Sequence, residues 1–149
     1  MTLSEQIQSD LTTAMKARDT DTVATLRMVL AAVKNLRVAA GHTGDVTDEE
    51  TVELLTRQAK QRREAADAYD AAGRPELAEQ ERRELAIVHR YLPEQLDDDA
   101  IDAIVADAIA STGAQGPAEL GKVMSAVMPQ VKGRADGTRV NAAVRRRLS

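Results

Sequence analysis

The chain has no cysteine, no tryptophan and no phenylalanine, and only two tyrosines, two histidines and four prolines in 149 residues. Without cysteine there is no disulfide framework, no thiolate nucleophile and no Cys-ligated zinc or iron–sulfur site. With almost no aromatics there is no platform on which to stack single-stranded bases. The core must then be built from Leu, Val, Ile, Met and Ala. No apolar run approaches the length of a membrane span, and Met1–Glu5 lacks the charged-then-apolar layout of a signal peptide. These absences lead us to expect a soluble cytoplasmic protein with no membrane contact. His42 and His89 have no spaced partner at ligand or triad geometry, so both read as structural or surface residues. Ser4, Ser9, Ser111 and Ser125 lie in no nucleophile elbow, and no Walker loop or paired-carboxylate site is visible. We therefore expect no catalytic residue, no metal and no cofactor.

What is present is helix-forming: Ala, Leu, Glu and Arg dominate. The net charge of -4 hides an asymmetry. Residues 97–116 hold five acids (Asp97, Asp98, Asp99, Asp102, Asp107) and no base. Residues 117–149 hold seven bases (Lys122, Lys132, Arg134, Arg139, Arg145, Arg146, Arg147) against Glu119 and Asp136, a net +5. A basic end on an acidic chain points to a local anionic partner.

The pattern predicts seven helices and no strand, since no alternating run with β-branched enrichment occurs. Thr2 with Glu5 forms a capping box, and Leu3, Ile7, Leu11 and Ala14/Met15 form the first apolar stripe. A second helix is expected over about 21–40, with Val23, Leu26, Leu30 and Val33 on one face and Val29 and Leu36 widening it. Thr47 with Glu50 repeats the capping box and opens a long third helix to about Ala72. Its seam is narrow (Val52, Leu55, Ala59, Ala66, Tyr69), and Arg57–Glu64 reads as mostly solvated. Arg57, Lys60 and Arg63 share a face there, read as pairing with Glu53 and Glu64 rather than meeting RNA. Gly73 and Pro75 punctuate a tight turn into a fourth helix to about Tyr91, which requires an antiparallel hairpin.

Pro93 marks a junction. Asp97 caps a fifth helix, with Asp98 and Asp99 favourable at its dipole; adjacent carboxylates without spaced partners make a poor cation loop. Pro117 opens a sixth helix ended by Pro129, and Asp136 caps a seventh carrying Val140, Val144 and Leu148. The expected architecture is all-α, with an N-terminal four-helix domain over 1–94 and a C-terminal three-helix domain over 95–149.

The chemistry-bearing signature is Gly121-Lys122-Val123-Met124, then Met128-Pro129, then Lys132-Gly133-Arg134-Ala135-Asp136-Gly137. Two predicted loops each place a glycine beside a cation and next to a helix, an arrangement suited to an anion or phosphate. The plain alternative is turn glycines flanked by solvated bases. Met124 and Met128, one turn apart, read as core. Arg145, Arg146 and Arg147 point about 100° apart in succession, so they read as a solvated basic end suiting the helix C-terminus rather than one clamp.

Together with Arg90-Tyr91-Leu92-Pro93-Glu94-Gln95-Leu96, Leu26-Arg27-Met28 and Lys60-Gln61-Arg62, this signature resembles the YqeY-like proteins of the GatB/YqeY family over essentially the whole chain. The resemblance implies a C-terminal lobe similar to the tail of the GatB subunit of the tRNA-dependent amidotransferase, a helical module that engages tRNA. The family is labelled as carbon–nitrogen ligase with glutamine as amido-nitrogen donor. That label describes the larger complex, because the parts that carry its chemistry have no match here. What the resemblance implies is a non-catalytic tRNA-binding module with Gly121, Lys122, Lys132, Gly133, Arg134 and Arg139 as the RNA-contacting residues. The competing expectation is a helical adaptor that holds a protein partner through its N-terminal helices, with the charged hairpin of the third and fourth helices as its surface.

Overall fold

The computed structural model describes residues 1–39, 41, 44 and 46–149. His42 and the expected end of the second helix at Ala40 lie outside the described residues. Seven α-helices are present among the described residues: α1 (Leu3–Ala17), α2 (Thr20–Ala39), α3 (Asp48–Ala71), α4 (Pro75–His89), α5 (Asp98–Thr112), α6 (Leu120–Val131) and α7 (Gly137–Leu148). A short 3-10 turn spans Pro117–Glu119, and no strand occurs among the described residues. The chain groups into two compact units, Met1–Leu92 and Pro93–Ser149.

The helices start where side chains satisfy their first amides. Thr2 Oγ1 accepts from the Glu5 N–H at 3.2 Å while the Glu5 carboxylate accepts from the Thr2 N–H at 3.1 Å. Thr47 and Glu50 do the same for α3. Asp19 accepts from the Thr22 N–H and hydroxyl at the start of α2. Between α1 and α2 the chain reverses through Arg18, a non-glycine residue in the left-handed region (φ 56°) whose N–H closes α1. Gly73 (φ 71°) makes the reversal between α3 and α4.

In the first unit α1, α2, α3 and α4 bury Ile7, Leu11, Leu26, Val29, Leu54, Leu55, Ile87 and Val88 in one core. Tyr91 packs against it and donates its hydroxyl to Asp10 Oδ2 at 2.6 Å. One expectation fails here. Arg62 is not solvated: it is 5% exposed. Its position, three residues after Ala59 and four before Ala66, puts it on the α3 seam. Burial is tolerated because its charge is answered. Arg62 Nε lies 3.6 Å from Glu84 Oε2 on α4, Nη1 donates to the Gln58 carbonyl and Nη2 contacts Met28 Sδ on α2. Glu84 Oε1 also accepts from Gln80 Nε2, which donates to Asp21 as well. The expected pairing on the outer face of α3 is present as Lys60–Glu64 at 4.0 Å.

The second unit packs α5, α6 and α7 around Ile101, Val105, Val123, Val127, Val131, Val140, Val144 and Leu148. Met124 and Met128 are half-buried at its edge. Asp97 caps α5 by accepting from the Ala100 N–H at 2.8 Å. Two expected proline boundaries differ. Pro117 opens the 3-10 turn rather than α6, which begins at Leu120. Pro129 does not end α6; the helix runs on to Val131. Proline deletes the bond its N–H would make to the carbonyl four residues back, that of Ser125. Both Pro129 and Ser125 are exposed, while Val131 is fully buried and holds the last turn in the core.

Two measurements test this unit-by-unit packing. Glu84→Ala leaves the buried Arg62 cation without its carboxylate. The expected loss is about 2–3 kcal/mol in denaturant unfolding, below the full cost of breaking a wholly buried pair because Glu84 keeps some solvent contact. Tyr91 is held protonated above its ordinary range, by burial first and by its bond to Asp10 second. A pKa raised in the folded state means that the bond contributes fully below the free tyrosine value of about 10 and is lost as pH rises beyond it. Wild type should therefore lose stability above about pH 10 more steeply than Tyr91→Phe; parallel curves would contradict this assignment.

Candidate nucleic-acid interface

The predicted site residues do not converge on one spot. Gly121 and Lys122 lie in the first turn of α6, not in a loop. Lys132 caps the other end of that helix. Ten residues of helix separate the two lysines, about 15 Å along the axis. A Cβ at Gly121 would meet nothing within 4 Å, so no internal contact demands glycine there, and its neighbour Lys122 is exposed. Neither Lys122 nor Arg147 makes an ion pair or side-chain hydrogen bond with any described residue.

The other end of α6 is organised differently. Gly133 is buried with φ 77°, a conformation that favours glycine. Its carbonyl accepts from Gln95 Nε2 at 2.8 Å, and the same amide donates to the Pro93 carbonyl at 2.8 Å. The Leu96 N–H donates to the Arg134 carbonyl at 2.8 Å, and Arg134 Nε reaches the Glu94 carbonyl at 3.4 Å. The segment Pro93–Leu96 and the turn Gly133–Arg134 are thus two halves of one clasp. Gly133 and Arg134 are residues expected at a ligand, and Gln95 is one with no expected role. The signal was available, since the clasp joins two of the motifs singled out, but their 38-residue separation conceals it.

The α7 cations are also shared out. Asp136 caps α7 by accepting from the Thr138 N–H at 3.0 Å, as expected. Arg139 Nη2 lies 2.7 Å from Asp98 Oδ1 and Arg146 Nη2 3.5 Å from Asp102 Oδ1, so two carboxylates one turn apart on α5 answer two guanidiniums on α7. The Asp98 carboxyl is held below its ordinary range by the Arg139 hydrogen bond and charge. Arg145 Nε donates to Asn141 Oδ1 at 2.6 Å. Over residues 93–149 eight acids outnumber seven bases, so the unit is charge-polarised rather than basic. His89 is half-buried, and its imidazole is pushed below its ordinary value by burial and by Arg63. Among the described residues no group of three His, Asp or Glu is placed to hold a metal, and no helix is long and apolar enough to cross a membrane.

The clasp and the α6–α7 signature sit within a chain whose family model, described as Yqey-like protein, matches residues 4–148. The chain belongs to the YqeY-like family. A relative, altered inheritance of mitochondria protein 41, mitochondrial, from Pyrenophora tritici-repentis, is 28% identical over 132 residues, covering 87% of this chain and 71% of that protein. Its name assigns that relative to mitochondria.

In this YqeY-like chain Gln95 is the test of the clasp. Gln95→Ala removes both amide hydrogen bonds and should cost about 1–2 kcal/mol of stability. Gln95→Glu keeps the shape but sets an acceptor against two carbonyls, and should be worse than alanine in the same denaturant titration. Equal behaviour of the two variants would show that the amide hydrogens contribute nothing.

Proposed function

We propose that this protein is a non-catalytic, tRNA-associated helical module acting in the cytoplasm, and that its C-terminal unit meets the sugar–phosphate backbone as the GatB tail of the glutamine-dependent amidotransferase does. The observation that carries the reading is the first turn of α6. There Gly121 has open space where a side chain would stand, and beside it Lys122 is exposed and without a partner among the described residues. Glycine in a helix costs about 0.5–1 kcal/mol relative to alanine; close approach of a ligand backbone at this exposed position accounts for it. Lys132, exposed at the far end of α6, extends the contact along the helix. Gly133 and Arg134 then serve mainly to hold the turn, and Arg139 joins only by leaving Asp98. The ligase label of the family belongs, on this reading, to a larger assembly, and the purified chain should release no ammonia from glutamine.

Contact with about three phosphates implies a log–log salt slope of roughly -2 to -3 for bulk tRNA. Lys122→Glu combined with Lys132→Glu should abolish binding while leaving helical circular dichroism intact. Unchanged affinity in the double variant, or affinity that ignores salt, would reject the assignment. A second reading, an adaptor that holds a protein through the N-terminal unit, is favoured by one observation: large apolar side chains exposed on α1 and α2. The α3–α4 hairpin is a poorer surface for it, because its cations are largely paired at home.

A further inference from the structure

Met1, Met15, Met28 and Val38 are the large apolar side chains exposed among the described residues, and three of these four lie on α1 and α2. Met15 borders a groove between the two helices, whereas Met28 meets Arg62 Nη2 on α3. One cleft of about 390 Å³ lies near the α1–α2 turn, lined by Met15, Arg18, Val23 and Arg27 among others. A second of about 480 Å³ lies toward the start of α1, lined by Ser4, Gln8, Leu30 and Lys34 among others. The lining positions share a register. On α2 they include Val23, Arg27, Leu30, Lys34 and Arg37, at steps of four, three, four and three; on α1 they include Ser4, Gln8 and Met15, which keep the same frame, and Arg18 follows at the α1 cap. Positions at that spacing form a continuous strip along a helix edge, the strip into which a further helix packs.

The charge of the groove is one-sided. From Thr22 to Ala39, α2 carries Arg27, Lys34 and Arg37 and no acid. Arg18, Arg27 and Lys34 make no ion pair or side-chain hydrogen bond with any described residue. The acid in the lining, Glu5, is engaged in the α1 capping box. Elsewhere in the same unit five cations are matched, Lys60 with Glu64, Arg62 with Glu84, Arg74 with Glu76, Arg82 with Asp70 and Arg83 with Asp21, while Lys16, Arg57 and Arg90 make no ion pair with any described residue and do not line either cleft. An acidic chain that leaves three cations unmatched around an apolar floor is complementary to one kind of occupant.

We infer that the α1–α2 groove binds an acidic amphipathic helix of a partner protein, its apolar face against Met15, Val23 and Leu30 and its carboxylates against Arg18, Arg27 and Lys34. This rests on the adaptor reading and is independent of the tRNA reading, which uses the other unit. The apolar floor and the lack of any aromatic in the lining favour a helix over nucleic acid, since bases would find nothing to stack on.

The test is fluorescence anisotropy with the full chain and two labelled 18-residue helical peptides. Both carry leucine along one face; one carries glutamate and the other lysine at the flanking positions. The glutamate peptide should bind, the lysine peptide should not, and Arg27→Glu with Lys34→Glu should weaken the glutamate peptide by about tenfold or more. Lys122→Glu with Lys132→Glu should leave peptide binding unchanged, which separates this result from that for tRNA. Equal binding of the two peptides, or insensitivity to the α2 reversal, overturns the inference. So does binding of bulk tRNA, or of vesicles of phosphatidylcholine with phosphatidylglycerol, that is lost with Arg27→Glu and Lys34→Glu, because the groove would then be a nucleic-acid or membrane surface.

Discussion

Ion pairing inside each helical unit decides which cations remain for anything else. Nearly a third of the residues are charged, so an isolated basic side chain carries little meaning until its neighbours are known. Exposed pairs such as Lys60–Glu64 contribute little stability, yet they remove charge from the outer surface. Where a pair is buried, as at Arg62 and Glu84, the same matching becomes a condition of the packing, because a lone guanidinium among helices is strongly unfavourable. Among the described residues the cations left without an ion pair include Arg18, Arg27 and Lys34 around the α1–α2 groove and Lys122 and Arg147 in the second unit.

The cores that support this surface are built without a single phenylalanine or tryptophan. Valine, leucine, isoleucine and alanine at every third or fourth position let the helices approach closely, and the threonine and aspartate caps hold their ends in register. In the second unit Val123, Val127 and Val131 on α6 and Val140, Val144 and Leu148 on α7 meet Ile101 and Val105 on α5. The clasp between Pro93–Leu96 and Gly133–Arg134 then fixes the entry to α5 against the α6–α7 turn by main-chain and amide hydrogen bonds. Polar residues that read as a binding signature are thus partly occupied in holding their own turn.

The all-helical fold and most helix starts were legible in the residues, because caps and apolar stripes are local. Thr2 with Glu5, Thr47 with Glu50, Asp97 and Asp136 each act within one turn, so spacing along the chain is enough to assign them. Pro117 and Pro129 were misjudged for the same reason in reverse. Proline states what bond is missing, but whether a helix starts late or continues past it depends on what the next residues bury. The candidate site was legible as a set of residue types and not as a place: two glycine–lysine pairs ten residues apart look alike in sequence, yet they fall at opposite ends of one helix.

Composition and periodicity alone determined that this chain is helical, free of thiol chemistry and poor in stacking surface, because those properties follow from which atoms are present and how they repeat. Tertiary structure decided which charges are silent. Asp98 and Arg139 are 41 residues apart, and Glu84 reaches Arg62 from another helix. Coulomb and hydrogen-bond terms act over a few ångströms in space, whatever the separation along the chain.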